Sequence, residues 1–170
     1  MALQNPNDST EILYGVSGDV RNEINSHVLA TTGGHYADEA EIPGALIIAS
    51  LRKATRLINT FLEPVYADQL PFTVVADVPK FIDEAGSDIA TYYVFRSATA
   101  KIGNLPEQKR QDYYDAYIGQ PDGFLVQIAD RRMLVPELTA VSPDQAKSVR
   151  TRGRAPIFDV DPIVDHEVDH

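Results

Sequence analysis

The chain lacks cysteine, any long apolar run and an excess of positive charge, and each absence excludes a class of protein. With no cysteine among 170 residues, it has no disulfide, no cysteine nucleophile and no cysteine-ligated zinc. No apolar stretch approaches the roughly 20 residues that a membrane-spanning helix needs, and the polar start Met1–Thr10 is not typical of a secretory signal, so we expect a soluble protein. The net charge of −10 opposes broad binding to duplex nucleic acid, which requires clustered lysine and arginine.

A chain of this length has room for one domain with a real core and some peripheral extension. We predict an N-terminal arm over residues 1–16, a helical domain over residues 17–142 and an extended C-terminal arm over residues 143–170. Pro6 and the Asn, Asp, Ser and Thr residues around it favour turns in the first segment. We therefore expect the order of the N-terminal arm to depend on a partner.

Apolar residues at helical spacing predict the body of the domain. The predicted helices start near Ser17, Pro43, Asp77, Pro106 and Phe124. The second helix has the strongest stripe and is predicted to end at Pro64, and a brief strand is predicted at Leu134–Val135. Gly86 weakens the third helix by about 1 kcal/mol relative to alanine, although a glycine also permits close approach of another helix. The fold class is mainly α: a small helical bundle with a brief β element and extended N- and C-terminal arms.

Two groups of residues inside the domain have a simple structural interpretation. Tyr113, Tyr114 and Tyr117 are predicted to pack at the edge of the core with their hydroxyls in water, rather than to stack on bases or a cofactor. Three cations lie off the apolar stripe of the second helix, and a solvated face is a simpler interpretation than a phosphate site: Arg52, Lys53 and Arg56.

The sharpest apparent catalytic motif is His166-Glu167-Val168-Asp169-His170, which matches the His-Glu-x-x-His pattern of zinc metalloproteases. That chemistry requires both histidines one turn apart on a buried helix, together with a third ligand. Here the motif ends the chain in an acidic segment after Pro162, so we interpret it as a chance match. A small zinc-dependent hydrolase remains the alternative from a different class. No P-loop, Rossmann, EF-hand or nucleophile-elbow pattern occurs, and we predict no catalysis, no cofactor and no metal.

Beyond Pro143 the composition changes to a basic stretch followed by an acidic one. One interpretation is a disordered, charged tail; the other is an extended arm that lies in a groove or adds to a neighbour's sheet. A solvated tail seldom retains five large apolar residues, so we favour the arm. Its candidate partner-binding residues are three cations and five apolar residues: Arg150, Arg152, Arg154, Ile157, Phe158, Val160, Ile163 and Val164.

Two stretches of packing residues carry a family resemblance. The first places five residues at helical spacing: Ala54, Ile58, Asn59, Leu62 and Tyr66. The second follows a loop that contains Pro71 and consists of Asp88-Ile89-Ala90 with Tyr92. Together they resemble the head-tail adaptor proteins of long-tailed bacteriophages, also called connector or head completion proteins. The resemblance extends roughly from Tyr14 to Leu138.

The resemblance implies a compact helical bundle that assembles as a ring of about twelve copies beneath the portal of a phage head. Such a ring continues the DNA channel, and its partners are the portal protein, the stopper or tail proteins, and sister copies. Family members use terminal extensions to grip the portal. The implied location is the head-tail interface of the virion, with assembly in the host cytoplasm, and an acidic lumen lets packaged DNA pass without specific binding. The alternative within this class is another virion joining protein, a tail terminator or stopper, although those folds are usually strand-rich.

Overall fold

A computed structural model describes residues 3–5, 8–32, 42–102 and 107–140. Two short strands, β1 (Leu3–Asn5) and β2 (Asp8–Leu13), pair as an antiparallel hairpin. The helices are α1 (Ser17–Thr32), α2 (Gly44–Tyr66), α3 (Lys80–Ile102), α4 (Glu107–Arg110), α5 (Ala116–Ile118) and α6 (Phe124–Ala129). A π-helical turn, Gln111–Asp115, joins α4 to α5. The predicted mainly α fold class is confirmed. Within these ranges, no helix has the length and apolar character to cross a membrane.

Helix α2 forms the centre of the core, and its sequence explains why. Apolar residues recur every three or four positions, so that one face is apolar along its whole length. The buried apolar residues of this face are Ile47, Leu51, Ala54, Ile58, Leu62, Val65 and Tyr66. The helix runs two residues past its predicted end at Pro64, because burial of Val65 and Tyr66 outweighs the one backbone hydrogen bond that proline cannot donate.

Helix α3 packs along α2 and begins slightly later than the sequence predicts. The carbonyl of Pro79 accepts hydrogen bonds from the N–H groups of Ile82 at 2.9 Å and Asp83 at 3.1 Å, so it starts the helix. The predicted cap, Asp77, lies instead in a separate 3₁₀ turn, Val75–Asp77. The fourth and fifth predicted helices are present as the continuous segment 107–118 and as α6.

The end of the hairpin is built into the domain. Ile12, Leu13 and Tyr14 are 7%, 0% and 0% exposed. The Tyr14 N–H donates to Thr55 Oγ1 at 2.8 Å, and its hydroxyl donates to Asn59 Oδ1 at 2.7 Å. Residues 11–16, which the sequence assigned to a partner-dependent arm, therefore find their partners within the chain.

The brief strand predicted at Leu134–Val135 is wrong, because this segment has no strand partner in the described part of the chain. Val135 is buried, and its N–H donates to the Tyr66 hydroxyl at 2.6 Å. A side chain of α2 thus accepts the backbone hydrogen bond that a neighbouring strand would otherwise accept. The β element of this fold is the N-terminal hairpin.

Candidate functional site

The candidate partner-binding residues of the C-terminal arm lie outside the described residues, and so does the His166–His170 motif. The described domain nevertheless carries two clusters of polar and aromatic side chains at the junction of α1, α3 and the segment 107–118. One cluster joins helices through hydrogen bonds, and the other presents aromatic rings at the surface.

The first cluster, here called the clamp, consists of two tyrosine–carboxylate hydrogen bonds. The Tyr113 hydroxyl donates to Glu23 on α1, and the Tyr117 hydroxyl donates to Asp88 Oδ2 on α3 at 2.6 Å. Lys109 Nζ lies 3.7 Å from Glu23 Oε1 and 5.2 Å from the Tyr113 ring centroid. Because hydrogen bonds to charged groups are stronger than neutral ones, the clamp fixes the segment 107–118 against two other helices.

Sequence spacing explains part of this geometry. Tyr113 and Tyr117 are four residues apart, so they project from one side of a helical segment. The π-helical turn between Gln111 and Asp115 widens the backbone there, and such turns recur at functional positions in helices. The prediction that these tyrosines pack at the edge of the core is confirmed by their partial or full burial. The prediction that their hydroxyls lie in water is wrong for Tyr113 and Tyr117, whose hydroxyls donate to carboxylates. Their carboxylate partners were not predicted, because Glu23 and Asp88 lie on helices distant in sequence.

Burial raises the pKa values of three side chains of the clamp. Desolvation raises the pKa of the Asp88 carboxyl, the Tyr117 hydrogen bond opposes this shift, and the charges of Glu23, Glu84 and Asp112 reinforce it. Desolvation and the carboxylate partners likewise raise the pKa of the Tyr113 and Tyr117 hydroxyls. The tyrosines therefore stay protonated at neutral pH and act as hydrogen-bond donors.

Replacing Asp88 by asparagine is expected to stabilise the protein at pH 7. The raised pKa means that the folded chain holds this proton more tightly than the unfolded chain, so Asp88 contributes less to stability as pH rises above the ordinary value of 3.8. Asparagine removes this titration while its amide oxygen still accepts from Tyr117. The gain in the free energy of unfolding, measured in urea, should shrink as pH falls toward 3.8.

Asp77→Asn, at an exposed position, is the matched control for the loss of one negative charge. Equal gains in both variants would assign the effect to net charge alone. An Asp88→Asn protein that is less stable than the parent at pH 7 would show that the ionised carboxylate stabilises the clamp.

The second cluster, here called the tyrosine patch, consists of Tyr92, Tyr93 and Tyr114 with the cations Lys53 and Arg96 beside them. The Tyr92 and Tyr114 ring centroids are 4.4 Å apart, and the Tyr93 centroid lies 5.8 Å from Tyr92 and 6.1 Å from Tyr114. Lys53 Nζ lies 6.0 Å from the centroid of the Tyr93 ring. The three rings are only partly buried, while Lys53 and Arg96 are exposed. Tyrosine and arginine are typical of protein interfaces.

The cations that the sequence placed on a solvated face have different environments. Arg52 Nε lies 3.0 Å from Glu11 Oε2 and Arg56 Nε lies 3.8 Å from Glu11 Oε1. Both arginines therefore pair with the carboxylate of Glu11 on strand β2. Lys53 points to the tyrosine patch instead. Lys53 and Arg56 are exposed, as the prediction of a solvated face requires, whereas Arg52 is partly buried.

An open groove of about 590 Å³ lies between the loop 68–77 and residues Glu137 and Leu138. Its charged lining is acidic, with Asp68, Asp77 and Glu137. Within the described ranges, no three histidine or carboxylate side chains are grouped so that they would hold a metal ion.

The apolar residues that carried the family resemblance pack in the core, while Asn59 and Asp88 accept hydrogen bonds from tyrosines. Ala54, Ile58, Leu62, Ile89 and Ala90 are fully buried. A family model described as "Bacteriophage Mu, Gp36" matches residues 14–151, most of the chain and nearly all of the described domain. Among curated proteins and solved structures, none matches the chain. The family match confirms the phage origin that the resemblance implied.

Proposed function

Because this chain belongs to the bacteriophage Mu Gp36 family, we propose that it is a structural protein of the phage neck. In this role about twelve copies form a ring under the portal, join the DNA-filled head to the tail and continue the DNA channel. The chain acts there without catalysis. Its partners are the portal protein, sister copies in the ring, and stopper or tail proteins below it.

The family match over residues 14–151 is the observation that carries the proposal. The fold supports an adaptor rather than a tail terminator or stopper, because those joining proteins are usually strand-rich, and the described chain has only a three-residue and a six-residue strand. The hydrogen-bonded clamp also suits a structural part, since it joins three helical segments into one unit.

The charge of the chain supports passage of DNA. A net charge of −10 repels phosphates, and binding to DNA would require clustered cations that release counterions. In the described domain most lysines and arginines instead form ion pairs with nearby carboxylates. A ring of such subunits presents a wall along which DNA slides.

The direct test is to measure mass with and without the portal of the same phage. Purified portal is mixed with the 18.7 kDa chain, and the complex is measured by native mass spectrometry and imaged by cryo-electron microscopy. The expected result is one ring of this chain on the portal, with the copy number equal to that of the portal ring. A chain that stays monomeric and unbound beside its portal would overturn the proposal.

Deletion of residues 143–170 is expected to weaken portal docking at least tenfold, which corresponds to about 1.4 kcal/mol, and to leave the helical domain folded. The reason is that the arm contributes apolar and cationic contacts to the assembly while the described core lies before it. Docking is measured by pull-down and surface plasmon resonance, and folding by circular dichroism.

Two full-length variants test the cationic and the apolar residues of the arm separately. One replaces Arg150, Arg152 and Arg154 by alanine, and the other replaces Ile157 and Phe158 by serine. Undiminished docking of the deletion variant would refute the role of the arm. If deletion of the residues after Val164 abolished both stoichiometric zinc binding and a hydrolytic activity, the metal-dependent alternative would be favoured instead.

A further inference from the structure

The tyrosine patch combines apolar surface with positive charge that no described carboxylate neutralises. Of the described lysines and arginines, Arg52, Arg56, Lys80, Lys109, Arg110 and Arg132 each form an ion pair with a carboxylate. Lys53 and Arg96 have no carboxylate partner among the described residues, and both lie beside Tyr93. On a chain with a net charge of −10, two such cations at one aromatic cluster indicate a surface for an acidic ligand.

The Tyr93 hydroxyl stays protonated and uncharged at neutral pH. Burial, followed by the neighbouring Tyr114, raises the pKa of Tyr93 to about 12. The patch therefore offers partly exposed aromatic faces and two exposed cations. A ligand that matches it has large apolar side chains alternating with carboxylates, and no cation of its own.

The C-terminal segment 157–169 has this composition. It contains five acidic residues and no lysine or arginine. Its apolar residues alternate with the acids over part of its length: Ile157, Phe158, Val160, Ile163, Val164 and Val168. Pro162 disfavours a continuous helix, which suits an extended ligand lying across a helical face.

We propose that the acidic segment 157–169 of this chain binds the tyrosine patch, with its apolar residues on the rings and its carboxylates on Lys53 and Arg96. The contact uses arm residues that the proposed portal docking also uses, but it involves a different surface and does not require that docking. Ile157 lies seventeen positions after Ala140, and at about 3.3–3.6 Å per residue this length spans up to roughly 60 Å. That reach exceeds the size of a domain whose radius of gyration is about 14 Å, so the segment reaches the patch of its own copy or of a sister copy.

The absence of cysteine from the chain makes disulfide trapping a clean test. Ser97 is exposed and lies four residues after Tyr93 on α3, so it shares the face of the patch. The full-length double variant Ser97→Cys with Val160→Cys is expected to form a disulfide at least tenfold faster than Thr73→Cys with Val160→Cys. Thr73 is also exposed but lines the acidic groove. Disulfide formation under mild oxidation is followed on non-reducing gels and by peptide mapping.

Charge reversal separates this contact from random collision. Lys53→Glu with Arg96→Glu, added to the Ser97 and Val160 pair, is expected to slow disulfide formation at least tenfold. Lys80→Glu, an exposed cation elsewhere on α3, is the control and is expected to leave the rate unchanged. Because all these positions are exposed, circular dichroism should show an unaltered fold.

Each outcome decides for or against the contact. A fast disulfide, within one chain or between two chains, places the segment on the patch, and the gel shows which copy supplies it. Equal rates for the Ser97 and Thr73 pairs would overturn the proposal. So would a rate insensitive to reversal of Lys53 and Arg96, because the acidic segment would then be pairing elsewhere, for example with Arg150, Arg152 and Arg154. Failure to bind portal, with the fast disulfide retained, would overturn the proposed function and leave this contact standing.

Discussion

Replacement of Gly86 by alanine is expected to lower the free energy of unfolding by about 2–3 kcal/mol. A Cβ at this position would overlap the carbonyl oxygen of Tyr14 and lie 2.5 Å from its carbonyl carbon. These are backbone atoms, so no side-chain rotation relieves the clash. Tyr14 is itself held by hydrogen bonds to Thr55 and Asn59, which oppose a shift of the strand end.

This expected loss of stability is opposite to the change that helix propensity predicts. In an unhindered helix interior, alanine is favoured over glycine by about 0.5–1 kcal/mol, so the sequence alone predicts stabilisation. A glycine at position 86 permits close approach of another element, and from the sequence we expect a helix there. The approaching element is instead the end of the hairpin, where Gly15 adopts a φ of 105° and its N–H donates to Asp83 Oδ1 at 2.8 Å.

Gly44→Ala is the matched control, because a Cβ there has no neighbouring heavy atom within 4 Å. It opens α2, and alanine is expected to be neutral or to stabilise by up to about 1 kcal/mol. Both variants are unfolded in urea and compared at one pH. A Gly86→Ala protein as stable as Gly44→Ala would show that the hairpin does not sit on α3.

Deletion of residues 1–14 is expected to abolish cooperative unfolding of the domain. It removes Ile12, Leu13 and Tyr14, which are 7%, 0% and 0% exposed. At about 1.5–3 kcal/mol for each large buried side chain, the loss is about 5–9 kcal/mol, comparable with the whole stability of a typical domain, about 5–15 kcal/mol. The measurement is urea unfolding followed by circular dichroism, with tyrosine fluorescence as a second probe.

A point variant keeps this prediction measurable if the deletion variant does not fold. Leu13→Ala is expected to cost about 2–5 kcal/mol through the cavity it leaves. Glu11→Ala on the same strand removes partly exposed ion pairs with Arg52 and Arg56, and is expected to cost less than about 1 kcal/mol. A deletion variant that unfolds cooperatively with nearly parental stability would restore the view that this segment is a separable arm.

The sequence predicted the helices well where local chemistry decides. Residues Ile47, Leu51, Ala54 and Ile58 fall on one face at helical spacing, and all are buried. Helix ends were predicted less well. The packing of Val65 and Tyr66 carried α2 past Pro64, and the carbonyl of Pro79, rather than the side chain of Asp77, starts α3.

The candidate surfaces were only partly predictable. The cluster of Tyr113, Tyr114 and Tyr117 was visible in the sequence, and so was its position at the edge of the core. Their partners on other helices were not, because Glu23 lies 90 residues from Tyr113 and Asp88 lies 29 residues from Tyr117. The spacing of residues within one helix does not indicate which side chains of another helix will contact that helix.

By itself, the sequence determined that this chain is a mainly helical domain with a phage family resemblance, because apolar spacing along a helix is a local property. Only the tertiary structure decided that the N-terminal hairpin belongs to the core. Tyr14 and Val16 bind Thr55, Asn59 and Ser87, which are 41, 45 and 71 residues further along the chain. A run of only three apolar residues beside turn-forming neighbours has the same sequence pattern in a mobile arm as in a packed strand. Their burial follows from the groove that α2 and α3 form only after they have packed together.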